Sequence, residues 1–153
     1  MKTILLYFSD IHFTGRKPEN EGVVIKAFCD DVKQQLANLQ YNDVYVLIGG
    51  DLVQAADDMN CYHTFYAQIL NKLVSYGISS EKIICVPGNH DCQRQWIIDH
   101  KETYGPIVNQ NFTEDRFNNM INGQSGNVFL EKFANYKSFV EQYLPNAKQN
   151  LIG

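Results

Sequence analysis

The run Ile83-Ile84-Cys85-Val86, followed at once by Pro87-Gly88-Asn89-His90-Asp91, leaves this chain few options. Four apolar residues in a row, three of them β-branched, suit a strand buried on both faces. Pro87 and Gly88 stop the strand and turn the chain. An amide, an imidazole and a carboxylate then stand at the carboxyl end of a strand, where open α/β folds bind their ligands.

Two earlier stretches share the layout. Ile4-Leu5-Leu6-Tyr7-Phe8 runs into Ser9-Asp10-Ile11-His12, and Val44-Tyr45-Val46-Leu47-Ile48 into Gly49-Gly50-Asp51. Parallel neighbouring strands would bring Asp10, His12, Asp51, Asn89 and His90 to one patch. Carboxylate, imidazole and amide donors together suit a borderline or hard divalent cation. Singly, each residue has a plainer explanation: Asp10 a loop carboxylate, His12 a packed histidine, Asp51 a turn cap. Five such groups at three strand ends do not.

Between these stretches the pattern is helical. Val24, Phe28, Val32, Leu36 and Leu39 form an apolar stripe that predicts a helix from Glu21 to Leu39, with Cys29 on its apolar side. Tyr62, Phe65, Ile69, Leu73 and Tyr76 predict a second from Met59 to Tyr76, with Asp57 or Asp58 as its N-cap and Gly77 ending it. His63 falls on its polar side, a surface histidine. The order β-α-β-α-β argues for a parallel sheet with right-handed crossovers, an α/β fold.

Beyond Cys92 the texture is mainly helical. Helices are expected over Gln93–Tyr104 and Glu114–Ile121, with a loop at Gly123–Asn127. Phe129, Phe133, Tyr136, Val140 and Tyr143 then recur at helical spacing, a stripe expected to be core, and Pro145 ends that helix. The division is a core over residues 1–92 and a cap-like or inserted segment over residues 93–153.

Asp10-Ile11-His12, Gly50-Asp51 and Gly88-Asn89-His90-Asp91, in that order and about 40 residues apart, resemble the first three signature blocks of the calcineurin-like metallophosphoesterases. The resemblance covers residues 3–92 and implies a β-sandwich flanked by helices, of which this chain holds part. It implies metal-dependent hydrolysis of phosphoesters, whether by a phosphatase, a phosphodiesterase or a nuclease, with two divalent ions (manganese, iron or zinc). Carried over residue by residue, Asp10 and His12 bind one metal, Asp51 bridges both, and Asn89 binds the second. His90 is the catalytic residue, donating a proton to the leaving oxygen rather than binding metal. Asp91 either orients His90 or holds the turn.

The family pattern continues with a lone histidine and then Gly-His-x-His, and neither occurs in these 153 residues. The favoured expectation is an amino-terminal portion of a longer protein, inactive in this form. The alternative is a catalytically weak module that binds a metal or a phosphorylated ligand in a regulatory role. Half of a two-sheet sandwich would leave an apolar face uncovered, so the chain is expected to self-associate or to be only partly ordered.

Composition adds exclusions. A chain of 153 residues with 44% hydrophobic and 20% charged content is one ordinary globular domain. The net charge of −4 argues against a general nucleic-acid surface, and Arg94, Lys101 and Arg116 are too scattered to form a basic groove. Four cysteines without Cys-x-x-Cys spacing point to free thiols in a reducing compartment, hence a cytoplasmic protein, with Cys92 at most a weak extra ligand. The first apolar run is too short for a signal peptide, and no run approaches the roughly 20 apolar residues of a membrane span.

Overall fold

Among the described residues three strands form the sheet: β1 (Thr3–Phe8), β2 (Asp43–Ile48) and β3 (Ile83–Cys85). They are parallel and lie in the order β1-β2-β3. The computed structural model describes residues 2–15, 18–41, 43–102, 113–115, 118 and 130–144. Phe8 pairs with Ile48, and Ile48 with Cys85, so the three strands end level with one another. The loops after the strands therefore emerge at the same edge of the sheet.

α1 (Pro18–Asn38) connects β1 to β2. Proline opens it, where a missing N–H costs nothing. Its buried residues are Ile25, Cys29, Val32 and Leu36, whereas Val24 is 69% and Leu39 40% exposed. The expected stripe is thus displaced by one position in its first half. Val24 and Ile25 head two apolar rows that differ by one residue, and the helix turns the row containing Cys29 toward the core.

The second connection is one helical run with a change of pitch: α2 (Met59–Phe65), a π-helical stretch (Tyr66–Leu70) and α3 (Asn71–Ser75). Widening the turn lets Ile69 and Leu70 both face inward, at 1% and 0% exposure. Asp58 caps α2, its carboxylate accepting from Asn60 N at 3.0 Å.

α4 (Arg94–Asp99) comes after the third site loop, and after a turn at His100 the chain is helical again at Lys101 and Glu102, within the expected helix. A 3-10 turn (Glu131–Phe133) leads into α5 (Ala134–Tyr143). The predicted α5 stripe is core, as expected, with Phe139 added to it: Tyr136, Phe139 and Val140 are fully buried. Phe139 stacks on Tyr62 at 5.1 Å, and the Tyr136 hydroxyl meets Cys85 Sγ at 3.3 Å. The expectations for Gly123–Asn127, Phe129 and Pro145, and for most of Glu114–Ile121, lie outside the described residues.

One face of the sheet carries Ile4, Leu6, Phe8, Val44, Val46 and Ile48 against the helices. The other face is open, and the two-sided burial expected of Ile83–Val86 fails at Val86. Leu5 is 63%, Tyr7 59%, Tyr45 39% and Val86 46% exposed. The strands are apolar on both faces, but among the described residues only one face has a covering layer.

Candidate metal centre

The loops after the strands extend the sheet's ladder. Gly49 N donates to Phe8 O, Asp10 N to Gly50 O, His12 N to Asp51 O and Phe13 N to Leu52 O, all at 2.9–3.1 Å. Phe13 and Val53 form one more parallel bridge. This zip holds the backbone in an unusual shape. Asp10, His12 and Asp51 have φ of 56°, 48° and 52°, the left-handed region that side chains avoid. Each such residue costs about 1–3 kcal/mol, and such strain collects at functional sites. Glu21 secures the next stretch, its carboxylate accepting from Thr14 N at 2.7 Å and Gly15 N at 3.1 Å.

The third loop packs onto the second through glycine. Gly50, at φ 102°, has no room for a Cβ, which would stand 2.9 Å from Gly88 N. Asp91, completely buried, ties the two loops together. Its Oδ2 accepts from Gly88 N at 2.9 Å and Leu52 N at 3.2 Å, and its Oδ1 from the Tyr62 hydroxyl at 3.0 Å. Of the two roles left open for Asp91, holding the turn is the one these bonds perform. Burial pushes its carboxyl up, against hydrogen bonds that pull it down. Burial, with the neighbouring carboxylate, also drives the Tyr62 phenol far up, so it stays a donor.

This scaffold gathers His12, Asp51 and His90, each offering one ligand-capable atom, all within 4.8 Å of one another. The His12 and His90 rings meet edge to face at 4.4 Å. Asp51 is divided between two tasks: Oδ1 accepts from His90 N at 2.8 Å, and Oδ2 lies 3.9 Å from His12 Nε2. Asp10 stands at the rim, its Oδ1 4.0 Å from His12 Nε2 and its side chain 68% exposed. Asn89 is exposed on the turn, where its backbone carbonyl accepts from Cys92 N at 3.4 Å.

These separations fit a cation. The 3.9 and 4.0 Å separations exceed a hydrogen bond and lie inside the widest span, about 4.4 Å, open to two ligands that each stand about 2.0–2.2 Å from one ion, so a bound ion would draw the group slightly together. Two carboxylates face one imidazole, and His12 Nδ1 is buried without a hydrogen-bond partner among the described residues. A divalent ion would balance the carboxylates and take His12 Nε2, whose nearer carboxylate oxygen stands off at 3.9 Å.

His90 Nδ1 has three neighbours: Gln54 O at 3.1 Å, Gln54 Nε2 at 3.3 Å and Arg94 Nη2 at 3.2 Å. Neither Gln54 nor Arg94 is among the residues expected at the site. The available signal is spacing, since Gln54 lies three residues past Asp51 and Arg94 four past His90. Asp57, a candidate cap for α2, instead caps α4, its oxygens accepting from Arg94 N at 3.1 Å and Gln95 N at 3.0 Å.

Other candidates stand elsewhere. His63, expected at the surface, is part-buried, with Nδ1 2.8 Å from the Tyr143 hydroxyl; its partner lies on α5, beyond the reach of helical periodicity. No disulfide joins the four cysteines, all of them buried, and Cys92 Sγ contacts Gly88 O at 3.9 Å rather than joining the three-residue group. No described helix is long and apolar enough to cross a membrane.

A family model described as calcineurin-like phosphoesterase matches residues 4–148. No curated protein and no solved structure matches the chain.

Proposed function

The chain belongs to the calcineurin-like phosphoesterase family, and from that premise we propose that it serves hydrolysis of phosphoester bonds at a centre of two divalent ions, manganese, iron or zinc. Asp10 and His12 would hold one ion, Asp51 would bridge, and Asn89 would reach the second through its amide oxygen. Such ions, when bound, supply positive charge to the phosphoryl oxygens and lower the pKa of a water. His90 stands beside these ligands as the proton donor to the leaving oxygen. An imidazole suits that task because its unperturbed pKa is about 6.5. Gln54 O at 3.1 Å and Arg94 Nη2 at 3.2 Å both lie against His90 Nδ1, which donates to the oxygen when it carries a proton and accepts from the guanidinium when it does not.

The observation that carries this reading is the convergence of His12, Asp51 and His90 within 4.8 Å at the ends of parallel strands. The test is hydrolysis of p-nitrophenyl phosphate and its bis ester with added manganese, on the longest natural form of the protein. Hydrolysis that His90→Ala abolishes while manganese binding persists is the expected result. Manganese binding without any hydrolysis would favour a regulatory module that binds metal or a phosphorylated ligand. Absence of binding to manganese, iron and zinc alike would overturn the phosphoesterase reading.

A further inference from the structure

We propose that Arg94 is a substrate-binding residue of this centre, receiving phosphoryl oxygens that the metal ions leave uncovered. The inference rests on the phosphoesterase reading and deepens it. Arg94 is exposed, and its guanidinium reaches His90 Nδ1 at 3.2 Å, which places a fixed positive charge beside the catalytic imidazole. Among the described residues no carboxylate lies within 4.0 Å of that guanidinium. The nearby acid, Asp57, is committed instead to the backbone N–H groups of Arg94 and Gln95. A guanidinium has five donors in a planar fork, and one imidazole nitrogen occupies at most one of them. The remainder suit a tetrahedral dianion, which a planar fork grips at two oxygens.

The base of Arg94 is built to hold position. Gln93 N donates to Lys132 O at 2.7 Å, and Asn135 N to Gln93 Oε1 at 3.3 Å. Asn135 Nδ2 donates in turn to Ala56 O at 2.8 Å, in the loop that supplies Asp57. Two segments far from it in sequence, the loop at Ala56–Asp57 and Lys132–Asn135, thus fix the start of α4, and α4 carries the cation at the centre's edge. In a chain of net charge −4, a local cation at the entrance also offsets repulsion of an arriving phosphate.

The experiment is calorimetric titration of inorganic phosphate into the manganese-loaded protein, comparing wild type with Arg94→Ala, Arg94→Lys and Asp57→Asn. Arg94→Ala should weaken phosphate binding by about 10- to 100-fold, the equivalent of one hydrogen bond to a charged group. Manganese affinity and the urea midpoint should stay at wild-type values. Arg94→Lys should recover part of the loss, and Asp57→Asn should show a smaller loss. Equal phosphate affinity in wild type and Arg94→Ala overturns the assignment, as does a wild type that binds manganese but no phosphate. Hydrolysis of p-nitrophenyl phosphate on the same preparation then decides separately whether the phosphoesterase reading stands.

Discussion

The Tyr62 hydroxyl donates a hydrogen bond to Asp91 Oδ1 at 3.0 Å, and both residues are completely buried. A tyrosine on α2 thereby fixes the carboxylate that clamps two site loops. Tyr62→Phe keeps the ring against Phe139 and removes only the donor. A buried acceptor left unmade costs about 1–3 kcal/mol. The urea midpoint should fall accordingly with the slope unchanged. A midpoint equal to wild type would mean that Asp91 does not depend on this bond.

Much of the centre was legible from strand ends alone. Asp10, His12, Asp51 and His90 come after apolar runs, and parallel strands that end level leave them nowhere else to go. The direction of α1 was not legible, because Val24 and Ile25 begin two apolar rows of equal quality and only the sheet chooses between them. The partners of His90 were hidden for another reason. Gln54 reaches His90, and Asp57 reaches the backbone of Arg94, across more than 30 residues through loop contacts that periodicity does not encode. Nor does a helical pattern announce the pitch change at Tyr66–Leu70.

The uncovered sheet face makes its own prediction. Leu5 and Tyr7 are 63% and 59% exposed, although their neighbours Ile4, Leu6 and Phe8 pack on the core. Leu5→Thr and Tyr7→Thr should each change stability by no more than about 0.5 kcal/mol, the usual range for surface sites. Losses of about 2 kcal/mol or more in chemical denaturation would show that this face is covered in solution, contrary to the exposure seen.

Acid should weaken the start of the sheet. The Asp43 carboxylate accepts from Lys82 and from Val44 N, which joins the beginnings of β2 and β3. The hydrogen bond from Lys82 holds that carboxyl below its usual range. A lowered folded pKa means a contribution that is complete above the unfolded value of about 3.9 and disappears as pH falls through the folded value. Asp43→Asn should therefore be less stable than wild type at neutral pH, with the difference closing at acid pH. A difference that stays constant across this range would assign the effect to something other than the ion pair.

Gly88 should be indispensable to metal binding and far less so to the fold. A Cβ built there would lie 2.7 Å from the Asp51 carboxyl carbon and 2.5 Å from Asp51 N. Neither neighbour has room to yield. Asp51 N belongs to a backbone already at φ 52°, and Asp51 Oδ1 is held by His90 N at 2.8 Å. Gly88→Ala must therefore push the Asp51 carboxylate away from His12 and His90, whose ligand-capable atoms it meets within 4.8 Å. The turn meets the core through Asp91, which accepts from both Gly88 N and the Tyr62 hydroxyl, whereas Phe65 and Phe139 pack on each other between α2 and α5. The variant should keep a cooperative unfolding transition while its manganese affinity drops by about tenfold or more, the loss expected when one ligand or its support is displaced. Full metal affinity in a folded Gly88→Ala protein would mean that the ion is held without Asp51, and the centre would have to be redrawn around Asp10 and His12.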